Sequence, residues 1–148
     1  MGDWHNVETQ DDVEMLLSTY GYFHDGHIVS ANYQSGVFVD DELSMYFGGA
    51  QEHRLSVVFQ RQWKPKTIEL QFIGLRQLHL TGWQDNYLNL ILEAYLSFHE
   101  NLLPGTPGRV IVWSSDCWFD VEKINNAISE PSDTYIVANA LRWRSLNG

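Results

Sequence analysis

Between positions 13 and 20 the apolar residues Val13, Leu16, Leu17 and Tyr20 recur every three or four places, which predicts one amphipathic helix over residues 10–20. Thr9 followed by Asp12 forms a capping pattern ahead of it, because a threonine hydroxyl accepts from an orphan helix N–H. Gly21 supplies a stop. Asp11, Asp12 and Glu14 fall in the first turn, where the helix dipole favours negative charge.

Beyond the helix the period drops to two. Leu55, Val57 and Phe59 alternate with polar neighbours, and Ile68, Leu70 and Phe72 do so again after a turn at Lys64–Pro65–Lys66. Gly74 breaks this run before Leu78 and Leu80 resume it, so strand–turn–strand–bend–strand is expected, an antiparallel meander. Gly48–Gly49 reads as a hairpin turn. Tyr87–His99 fits either period and is taken as a strand because its neighbours are β-patterned. Pro104–Gly108 is a loop, Val110–Trp113 a short buried strand, and Asp120 caps a turn of helix running through Ile128. In the last strand Tyr135, Val137, Leu141 and Trp143 share one parity, with Asn139 interrupting. The expected fold is α+β and mainly β: about seven or eight antiparallel strands, folded over or partly closed, with one or two short helices. With no linker or repeat, residues 1–148 are expected to form a single domain.

Charge divides the chain in two. The first 52 residues hold ten Asp and Glu and no Lys or Arg, so the whole net charge of −10 arises there. Such a block attracts a basic partner or cations. The same balance excludes nucleic acid, which needs clustered Lys and Arg, and an anionic membrane surface. Cys117 is the only cysteine, and the start MGDWHNVETQDD has neither a basic nor an apolar leader segment, so a cytoplasmic location is expected. No apolar run approaches the ~18 residues of a membrane span.

Candidate chemistry is sparse. His24, Asp25 and His27 are the densest group of potential metal ligands, with Asp40, Asp41 or Glu52 as help, although in an extended strand His24 and His27 face opposite ways. Asp40–Asp41–Glu42 lacks the spacing of a calcium loop and reads as a solvated acidic turn. Trp63, Trp83 and Trp113 line a pocket or belong to the core. Cys117 has no cation beside it to activate a thiolate, and Ser114, Ser115 and Ser129 stand in no nucleophile elbow. Arg142–Trp143–Arg144 places two guanidiniums on one strand face, as partners for carboxylates of the acidic half or as a surface patch. No cofactor is implied.

Phe23–His24–Asp25, Val39–Met45, Phe59–Gln62 and the terminal Leu141–Arg142–Trp143–Arg144 together resemble a group of small uncharacterised bacterial proteins with F-H-D and L-R-W-R motifs. That group is similar to predicted immunity proteins of polymorphic toxin systems, of the immunity protein 50 type. The resemblance implies a mostly β protein that neutralises a toxin by binding it, without catalysis. Three functions are therefore weighed. The first is an acidic binding protein that meets a basic toxin through Asp25, Asp40, Asp41 and Glu42. The second is a metal-dependent enzyme or metal-binding domain built on His24, Asp25 and His27. The third is a small-ligand-binding half-barrel.

Overall fold

In the computed structural model, residues 2–83, 85, 89–125 and 133–146 are described. Among these residues nine strands and one α-helix follow in the order β1 (His5–Val7), α1 (Gln10–Thr19), β2 (His27–Gln34), β3 (Phe38–Val39), β4 (Met45–Tyr46), β5 (Arg54–Gln60), β6 (Thr67–His79), β7 (Tyr95–Glu100), β8 (Arg109–Ser114) and β9 (Tyr135–Ser145). Seven strands form one open antiparallel sheet ordered β2-β5-β6-β9-β8-β7; β6 runs along one side of β9, while β8 and β1 share the other. β3 and β4 make a separate hairpin.

The capping pattern sets the start of α1: Asp12 N–H donates to Thr9 Oγ1 at 3.2 Å, and Asp12 Oδ2 accepts from the Thr9 N–H at 3.0 Å. Val13, Leu16, Leu17 and Tyr20 are buried in one core with the inward residues of β5 and β6, where Leu55, Val57, Phe59, Ile68, Leu70 and Phe72 alternate as their period demands. Phe23 and Trp113 meet edge to face at 5.7 Å in the middle of this core. On the opposite face a second, smaller cluster lies at the β7–β8–β9 end, where Leu103 and Phe119 pack on Val110, Val112 and Val137.

The turn between β5 and β6 is held by Arg61. Its Nε donates to Pro65 O at 3.0 Å, its Nη2 to Lys64 O at 2.9 Å, and its guanidinium lies 4.2 Å from the Tyr20 ring. Burial pushes the Tyr20 phenol up to about 12.

Four expectations change here. β6 is one strand through Gly74, bent rather than broken. Tyr135 and Val137 do not share a face with Leu141 and Trp143; Ile136 and Ala138 do. The cause is Gly74 at φ +70°, close against Asn139, with a register shift between Leu75 and Gln77: inward parity switches on both strands. The segment taken as a strand over 87–99 is one only from Tyr95; Ile91 makes a single bridge to Gly26 and Glu93 one to Asp116, while Tyr87 and Leu88 lie outside the described residues. After Asp120, which accepts from the Glu122 N–H at 3.0 Å, a single 3₁₀ turn spans Val121–Asn125; Ile128 and Ser129 lie outside the described residues.

Candidate functional site

Hairpin β3–β4 is built by its own acids. Asp40 Oδ1 accepts from the backbone N–H groups of Glu42 and Ser44, each at 2.9 Å, closing the turn while Leu43 adopts φ +65°. Those bonds, that from Ser44 foremost, hold the Asp40 carboxyl below the usual carboxylate range. Asp40 therefore shapes the hairpin, and Asp41 and Glu42 stand exposed at its tip. Gly48–Gly49 is not the turn but the base. Gly36 (φ +75°) and Gly48 (φ +68°) pinch together beneath Glu52, where a Cβ on Gly36 would sit 2.6 Å from the Glu52 Cβ. Only glycine permits both the backbone angle and the approach.

The hairpin buries almost none of its apolar side chains. Val37, Phe38, Val39, Leu43, Met45, Tyr46 and Phe47 are between 43% and 84% exposed, and the Phe38 and Tyr46 rings stack at 4.7 Å in the open. Scattered exposed apolar residues are ordinary, but seven within eleven consecutive positions mark an interaction surface. Arg54, whose Nε donates to Gln51 O at 2.8 Å, is the nearest cation in sequence. Arg61, Lys64 and Lys66 lie beyond the far end of β5, roughly 20 Å away along the strand. The apolar runs Val37–Val39 and Met45–Phe47 are present in the chain, yet a run of apolar residues does not say that the layer to cover it is missing.

Asp25 lies elsewhere. It follows a turn in which Tyr22, Phe23 and Asp25 all take positive φ, and β2 separates it from the hairpin by about 23 Å. The turn is fixed by Asp25 N–H to Ile91 O at 2.7 Å and Ala94 N–H to Tyr22 O at 2.9 Å, and Tyr22 donates its hydroxyl to Glu14. His24 Nδ1 donates to Leu92 O at 2.8 Å, and its Nε2 lies 3.4 Å from Asp25 Oδ2. The ring is thereby committed to protein partners, and His27 opens β2 beyond it. Among the described residues no three His, Cys, Asp or Glu side chains are grouped to hold a metal ion.

The terminal arginines find partners by strand register. Arg144 stands opposite Glu69, and its Nε and Nη2 each donate to Glu69 Oε1 at 2.8 Å; Arg142 stands opposite Gln71 and donates to its Oε1 at 2.7 Å. Both guanidiniums lie 4.2 Å from the Trp4 ring. The expected carboxylates of the acidic half are not the partners: the stretch of that half that runs beside β9 is β1, His5–Val7, which carries no acid, while β6 on the other side brings Glu69 and Gln71 into register. Trp143 is buried on the other face, stacked on His5 at 4.5 Å.

The three tryptophans considered for a pocket are not brought together: Trp113 is buried in the core, while Trp63 and Trp83 are exposed. Burial, with Glu93 and Asp116 nearby, pushes the Cys117 thiol up, the reverse of activation. Ser114 is buried and donates to Thr134 O at 3.0 Å. No helix among the described residues is long and apolar enough to cross a membrane. Compared with protein-family models, curated proteins and solved structures, the chain finds no match in any of the three.

Proposed function

We propose that this protein acts by binding rather than catalysis, docking a basic protein through hairpin β3–β4 as an immunity-type inhibitor docks its toxin. The observation that carries the reading is the hairpin itself: an apolar surface left open, tipped by Asp41 and Glu42, inside a 52-residue stretch without a single Lys or Arg. Protein interfaces combine such an apolar centre with a polar rim, and complementary charge raises the association rate and makes it sensitive to salt. The sequence resemblance to toxin-immunity proteins points the same way.

The test is neutralisation. The reading frame beside this gene is expected to encode a basic toxin, and coexpression of the present chain is expected to restore growth to cells that make it. Replacing Phe38 and Phe47 with Ser is expected to abolish the rescue while leaving the fold intact, since both side chains lie off the main sheet. A neighbour that is neither toxic nor basic, or rescue undiminished by the double substitution, would overturn the reading.

A further inference from the structure

β2 lies at the edge of the sheet. Among the described residues it pairs with β5 on one side and with no strand on the other. Edge strands present a row of free N–H and C=O groups, and proteins guard them with charge, proline or a covering segment. The eight residues of β2, His27–Ile28–Val29–Ser30–Ala31–Asn32–Tyr33–Gln34, contain no Lys, Arg, Asp, Glu or Pro. A register shift between Ile28 and Ser30 bends the start of the strand, and Ser30–Gln34 then pair in regular register with Val58–Arg54. Ala31 and Tyr33 stand opposite Val57 and Leu55, whose side chains enter the core, yet both are exposed.

The chain on either side of this bare edge is rich in acids, with Arg54, opposite Gln34, the cation beside its far end. Asp25 lies two residues before β2, and Asp41, Glu42 and Glu52 belong to the hairpin and its base, which follow the strand. An uncharged edge about 23 Å long, bracketed by carboxylates, complements an extended segment with an uncharged alternating centre and a cation at each end.

From this juxtaposition we propose that β2 accepts a strand from the basic partner, extending the seven-stranded sheet by one. Main-chain bonds along Ile28–Gln34 supply the grip, Tyr33 and Ala31 receive the apolar side chains of the added strand, and the terminal acids set its ends. The proposal rests on the binding reading above and deepens it: the hairpin gives the partner an apolar anchor, and the neighbouring edge gives it a backbone template.

The probe is a synthetic peptide with two lysines at each end and alternating threonine and valine over eight central residues. Amide hydrogen exchange of the full chain is recorded with and without it. In β2 alternate N–H groups face β5 and alternate ones face solvent. The outward set is expected to exchange at least tenfold more slowly at saturating peptide. Methylating the peptide nitrogens that face the edge is expected to abolish binding. Changing Asp25 to Asn, or Asp41 and Glu42 to Asn and Gln, is expected to weaken it about threefold each. Unchanged exchange across β2, or equal binding of the methylated peptide, would overturn the inference. The docking role of the hairpin is read separately from the Phe38 and Phe47 substitutions, so the two can fail independently.

Discussion

Replacing Gly74 with Ala probes the device that lets one sheet carry two cores. Gly74 holds φ +70°, and its own N–H donates to His53 O at 2.8 Å. An L-residue in this region loses about 1–2 kcal/mol relative to glycine. The new Cβ would also meet Asn139, 2.9 Å from its Cβ and 2.6 Å from its Nδ2. The Cβ contact cannot be relieved by rotating a side chain, so overpacking adds about 1–3 kcal/mol. The expected loss is therefore about 2–5 kcal/mol, a large share of the roughly 5–15 kcal/mol that stabilises a domain. Urea unfolding of Gly74→Ala, Asn139→Gly and the double variant would measure it, with the slope checked for constancy. The double variant should recover the steric part, giving a coupling of about 1–3 kcal/mol, and retain the backbone part. A loss below about 0.5 kcal/mol for Gly74→Ala, or no coupling to Asn139, would refute this account of the parity switch.

Two further perturbations bear on the fold. Trp143→Ala removes a buried ring packed on His5 and should lower stability by about 3–5 kcal/mol in the same denaturation assay. Asp12 and Asp40 both have carboxyl pKa values lowered by backbone N–H donors, so their contribution is present above the unfolded value of ~3.9 and disappears as pH falls through the folded values. Stability followed by urea midpoint should hold from neutrality to about pH 5 and fall below about pH 4, with a shallower fall in a variant carrying Asn at both positions.

The helix and the β5–β6 hairpin were legible because their signals are local. Thr9, Asp12 and the spacing Val13–Leu16–Leu17–Tyr20 act within two turns, and Leu55–Phe59 and Ile68–Phe72 alternate beside one turn. The parity switch was not, because it needs Gly74 and Asn139 side by side on strands 65 residues apart in sequence. The register that pairs Arg144 with Glu69 was hidden for the same reason. At the candidate site the acids were visible and their arrangement was not. Asp40 is engaged by its own turn, and Asp25 and Asp41 are held apart by the length of β2. That the apolar residues of 37–47 lie open was not legible, since a chain does not show which strand faces lack a covering layer.

Titration of the purified product of the neighbouring reading frame with the wild-type chain and with the variant carrying Ser at Phe38 and Phe47 tests the central claim, provided thermal midpoints are recorded on the same samples. Truncated hot-spot anchors lose about 2 kcal/mol or more each, so affinity should drop at least ~100-fold with the midpoint unchanged. Equal affinity of the two proteins would place the binding surface elsewhere and contradict the account.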